Sequence, residues 1–195
     1  MMWKRRFFIM DTNNRSAAVK TNLKLFGSTR VMVICAMLIA ISIIGKSFRL
    51  DVASVLRISF ENLPILMAGI FFGPFIGAAV GLGADLIGCM VTSQAPIPLI
   101  TVGAVCVGFV SGFVAQKMSG SRLLPRVAWS VGLAHLIGSV IVKTAALYLA
   151  FPGMRPTLIW RPVNYIVIAA VEGMVIYLLL SNKAFAEQVR KLCSK

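Results

Sequence analysis

Between Leu63 and Val91 the chain runs for 29 residues with Asp85 as its one charged side chain. A membrane-crossing helix needs about 20 largely apolar residues, so this stretch is too long for one crossing and short for two full ones. Gly73-Pro74 sits inside it, and proline removes a backbone donor and disfavours helix in the residue before it. The stretch therefore reads as a short helix over 62–72 and a second over 75–92.

The same pattern continues on both sides. Val31 to Gly45, extendable to Phe48, is a first span, followed by a polar, charge-bearing loop over 46–59. Gln94-Ala-Pro-Ile-Pro98 breaks the chain before a fourth helix, Leu99 to Ala115. Val127 to Ala150 and Arg161 to Leu180 are the fifth and sixth, separated by Phe151-Pro-Gly-Met-Arg-Pro156. Overall 58% of the 195 residues are apolar and 13% charged, with mean hydropathy +0.88. A soluble domain carries about 45–50% apolar and about 25% charged residues, and a core of this size cannot hide the excess. These values exclude a water-soluble globular enzyme and a disordered chain. The expected fold is all-α: a polytopic bundle of six transmembrane helices over 30–182. A polar, basic cytoplasmic tail over 1–29 and a basic cytoplasmic C-terminal tail over 183–195 flank it.

Charge orients the bundle. With the N-terminus inside, the inner segments hold fourteen Lys and Arg and the outer ones five, namely Lys46, Arg49, Arg57, Arg155 and Arg161. That asymmetry follows the positive-inside rule and needs six helices to alternate correctly. The net charge of +14 is thus a matter of lipid head groups, and nucleic acid is not an expected partner. Cys35, Cys89, Cys106 and Cys193 share no metal-ligand spacing.

Polar residues inside the spans carry the functional information. Gly77, Gly81 and Asp85 share one helical face, which turns Asp85 into the bundle, either satisfied by backbone or hydroxyl groups or serving a substrate or coupling role. His135, Ser139 and Lys143 are spaced by four, and His135 and Glu172 reach similar depth, as a structural pair or a proton relay. Lys143 and Arg161 lie in the outer third, with Arg155 and Arg57 near them. Too few acids are expected on that side to neutralise these cations, so an anionic ligand or lipid phosphate is expected to sit among them. Ala36-x-x-x-Ala40 on the first helix is either a close packing contact within the chain or a docking face for another membrane protein.

Together these stretches resemble the substrate-binding S components of energy-coupling factor (ECF) vitamin transporters. The resemblance runs over about 30–182 and is strongest at Arg57-x-x-Phe60, Pro64-x-x-x-Ala68-Gly69-x-x-x-Gly73-Pro74-x-x-Gly77 and Asp85-x-x-Gly88. Lys143-Thr-Ala-Ala-Leu-Tyr148 and Trp160-Arg161 are similar to segments of the folate type, whereas Gln94-Ala-Pro-Ile-Pro-Leu-Ile-Thr101 lacks that type's Gly-Phe. The resemblance implies a prokaryotic cell-membrane protein with a vitamin pocket at the outer ends of helices four to six. It implies no enzymatic activity and no cofactor in this chain; a transmembrane coupling protein and two ATP-binding subunits would use the ATP. No G-x-x-x-x-G-K-[ST] occurs in the sequence. The expected substrate-binding residues are Phe48, Arg57, Gln94, Lys143, Tyr148, Arg155, Trp160, Arg161 and Asn164, with Ala36 and Ala40 docking the partner. Phe48, Tyr148 and Trp160 would offer aromatic surface to a flat ring such as that of folate. An intramembrane enzyme, a stand-alone secondary transporter and a non-transporting scaffold are the rival classes. The single histidine and the absence of G-x-S-x-G argue against the first.

Overall fold

A computed structural model describes residues 28–47, 50–51, 57–58, 60–118, 122–150, 158, 160–182, 184–185 and 187–188, with only the backbone at 50–51 and 57–58. Six helices carry the architecture: α1 Thr29–Ser47, α2 Asn62–Phe72, α3 Pro74–Val91, α4 Pro98–Lys117, α5 Leu123–Ala150 and α6 Arg161–Ser181. Two-residue strands β1, Leu50–Asp51, and β2, Arg57–Ile58, pair antiparallel between α1 and α2. The helices match the hydropathy reading within a few residues at each end. The loop after α1 does not begin at Lys46 as expected, because Lys46 and Ser47 complete the helix.

The expected break at Gly73-Pro74 is a one-residue turn. Gly73 adopts φ 100°, a region that a Cβ makes costly and glycine occupies freely. Its N–H bonds Gly69 O at 2.9 Å and closes α2, while Pro74 opens α3 where its missing N–H costs nothing. The two helices then run back against one another. Lateral packing needs small residues too: a Cβ on Gly77 would lie 2.5 Å from the Gly108 carbonyl oxygen and 2.6 Å from Gly69 Cα. In lipid, helices associate through such close van der Waals packing, since tails are as apolar as leucine. The stepwise glycines of α3 thus let α2, α3 and α4 approach backbone to backbone.

Among the described residues, five helices are long and apolar enough to cross a membrane, and α2, with 11 residues, is the short one. At 1.5 Å per residue it rises about 16 Å, roughly half the hydrocarbon thickness. Nine of those 11 residues are buried, so the shortened element is shielded by protein and not presented to lipid. α4 is central and packs on α2, α3 and α5; α1 closes one side against α2 and α3, and α6 the other against α5. Leu66, Ile76, Val107, Val131 and Ile176 form the core across these helices. The surface is inverted relative to a soluble protein: Met90 is 81% exposed while Glu172 is 0% exposed. That inversion is what a lipid solvent demands.

Candidate functional site

One end of the bundle collects the charges. Ser42 Oγ of α1 donates to the Glu61 carbonyl at 2.6 Å, joining the end of α1 to the start of α2. One turn further along α1, buried Lys46 donates to Asp85 Oδ1 of α3 at 3.0 Å. The other carboxylate oxygen, Oδ2, accepts the Thr101 hydroxyl of α4 at 2.7 Å. Asp85 therefore points inward as expected and is satisfied by a hydroxyl, but its principal partner is a lysine assigned from the sequence to a loop.

Across the same end, Lys143 of α5 lies 3.4 Å from Glu61 Oε1 and donates to Asn62 Oδ1 at 3.2 Å. The expected shortage of acids on this side is corrected here. Asp85 and Glu61 balance Lys46 and Lys143, because an ammonium in a low-dielectric interior is costly without a counter-charge. Ser42, Lys46, Glu61, Asn62, Asp85 and Lys143, with the apolar Ile65, Ala84 and Ala104, line one open cleft with room for about one water molecule, ≈ 10 Å³.

A second polar line runs between α5 and α6. His135 Nε2 meets Glu172 Oε2 at 2.6 Å, and His135 Nδ1 lies 3.2 Å from Ser139 Oγ, all three residues being buried. The structural pairing expected for His135 and Glu172 is present. The Tyr165 ring lies 5.7 Å from that of His135, and Arg161 sits 5.3 Å over Tyr165 with Nη2 bonded to its hydroxyl at 3.1 Å. Arg161 thus lies beyond Tyr165 on α6, towards the end where Lys143 lies on α5. His135–Val142 is a π-helical segment within α5, an irregularity that clusters at functional sites. It keeps His135, Ser139 and Lys143 all buried, as their spacing predicts.

The other expected site residues divide by exposure. Trp160, directly before α6, and Tyr148, near the end of α5, are exposed, and Asn164 is buried one turn into α6. Gln94 is exposed in the segment between α3 and α4. The backbone of Arg57 lies in β2, which contacts α6. Its side chain, Phe48 and Arg155 lie outside the described residues, as do most of the two tails. Sequence reading missed Lys46, Glu61, Asn62 and Thr101. A signal for Lys46 existed: Leu38, Ser42 and Lys46 repeat every four residues and are all buried. Ala36 and Ala40 are both exposed on α1.

Residues 30–186 match the family described as "ECF transporter, substrate-specific component". A curated relative, "Folate transporter FolT" of Clostridium novyi (strain NT), is 26% identical over 151 residues, which are 75% of this chain and 86% of that protein. Among solved structures, the "Crystal structure of FolT bound with folic acid" superposes with TM-score 0.65 at 22% identity, covering 78% of this chain and 93% of that one. The shared fold, the inverted surface and the family match over most of the sequence agree. This chain is a multi-pass membrane protein that belongs to the substrate-specific components of ECF transporters.

Proposed function

We propose that the chain captures folate, or another anionic vitamin with a flat ring, at the outer end of the bundle. It then delivers the vitamin through an energy-coupling module made of a transmembrane coupling protein and two ATP-binding subunits. One observation carries the substrate class: Arg161, half-buried over Tyr165 and next to exposed Trp160, sets a cation beside aromatic surface at the start of α6. A ring can stack on such surface, and a carboxylate can accept charge-assisted bonds from a guanidinium. The folate-transporter relative supports the same choice. Lys143, Asn164, Tyr148 and Gln94, with Phe48, Arg57 and Arg155, complete the proposed site.

The test is removal of the cation. Losing a charge-assisted contact whose partner stays buried costs roughly 2–5 kcal/mol, so Arg161→Ala is expected to weaken folate binding at least ~30-fold. Titration of purified protein with labelled folate measures it, and unchanged affinity contradicts the assignment.

Both termini are proposed to be cytoplasmic, with 48–59, 94–98 and 151–160 outside, from the fourteen-to-five bias of basic residues. Reporter fusions at residues 53 and 120 are expected on opposite sides of the membrane. Reports from the same side would break the alternation on which the outward-facing cleft depends.

A further inference from the structure

Lys46, Lys143 and Arg161 lie towards the same end of the bundle and differ in what holds them. Lys46 meets Asp85 at 3.0 Å and Lys143 meets Glu61 at 3.4 Å, so each lysine faces a carboxylate that offsets its charge. Arg161 has no such partner: among the described residues it makes no ion pair, and the side chain that holds it is the neutral Tyr165. Glu172, the buried carboxylate on the same helix, is taken by His135 at 2.6 Å.

Tyr165 grips the guanidinium in two ways. The residues are four apart on α6, which places them on one face. Arg161 Nη2 donates to the Tyr165 hydroxyl oxygen at 3.1 Å. The guanidinium carbon also lies 5.3 Å from the ring centroid, within the roughly 6 Å reach of a cation–π contact. Tyr165 is itself braced from below. Its ring lies 5.7 Å from that of His135, which is engaged at Nε2 by Glu172 and at Nδ1 by Ser139. The clamp is thus built on the packing of α5 against α6 and not on a loop.

We propose that Tyr165 is a positioning residue for the captured anion: it fixes the Arg161 guanidinium for the ligand's carboxylate and leaves the positive charge uncancelled. The proposal rests on the vitamin-capture reading above and adds the residue that presents the cation. A carboxylate in place of the phenol would hold the arginine equally well but would neutralise it. A guanidinium carries five N–H donors, of which Tyr165 takes one, so donors remain for an anion. An arginine loses rotamer freedom when it engages a ligand, and a side chain that holds it beforehand lowers that cost.

A double-mutant cycle reads this role, since an effect that passes through Arg161 disappears when Arg161 is gone. Folate affinity is measured by titrating the full-length protein in detergent for wild type, Tyr165→Phe, Arg161→Ala and the double variant. Phenylalanine keeps the ring against His135 and removes only the hydroxyl. In the wild-type background Tyr165→Phe is expected to weaken folate binding roughly three- to tenfold, the worth of one hydrogen bond to a charged group. In the Arg161→Ala background the same change is expected to alter affinity less than about twofold. An equal loss in both backgrounds, which a purely structural role of the hydroxyl would give, overturns the proposal. So does unchanged affinity of Tyr165→Phe while Arg161→Ala shows its expected loss, and the capture reading then stands. If wild type does not bind folate, or Arg161→Ala binds it as tightly as wild type, the capture reading itself falls and takes this inference with it.

Discussion

Tryptophan at Ala36 or Ala40 is expected to abolish ATP-driven uptake in cells carrying the energy-coupling module, while binding by the purified chain stays intact. Both alanines are exposed on α1 and one turn apart, so they form a flat strip on which another helix can lie close. Small residues permit that approach, and an indole would hold the helices apart by ~1–2 Å and forfeit their van der Waals packing. The separation of effects is therefore the diagnostic: uptake is lost and affinity kept. Equal loss of binding would place the motif inside the fold and contradict the docking role. Uptake by the chain alone, driven by an ion gradient, would identify a secondary transporter.

Replacing Asp85 by leucine is expected to cost roughly 3–5 kcal/mol of stability, because it leaves an uncompensated buried charge. Among the described residues, Lys46 would keep Cys89 Sγ, 3.4 Å from Nζ, as its one partner. Exchanging the whole pair for apolar residues, Asp85→Leu with Lys46→Met, removes both charges and is expected to recover most of the loss. Thermal unfolding in detergent reads both variants. A single variant melting with wild type would show that the pair carries no stability.

The contrast between what was legible and what was not has a physical basis. Helix positions followed from local hydropathy, since each span must meet the bilayer's thickness within one continuous segment. Gly73-Pro74 was equally legible, because the constraint that breaks the helix resides in two adjacent residues. His135 and Glu172 could be paired from depth alone, as both lie on long membrane-spanning helices with few polar alternatives. The pairing of Lys46 with Asp85 and of Lys143 with Glu61 spans 39 and 82 residues and depends on which helices are neighbours, which periodicity does not encode. Lys46 stood at a helix end, where a lysine can equally snorkel to the head groups. The same ambiguity made the acids at the pocket end look too few. For Lys46 and Lys143 the cation-ring expectation gives way to balanced pairs with Asp85 and Glu61.

The central claim is that this ECF substrate-specific component takes an anionic, ring-bearing vitamin. A competition series on the wild-type protein tests it most directly, with folate, pantothenate and thiamine displacing labelled folate. Folate is expected to win, pantothenate to compete weakly because it satisfies the charge without the ring, and cationic thiamine to be repelled by Arg161. Preference for thiamine or for a neutral ligand would contradict the account, whatever Arg161→Ala does.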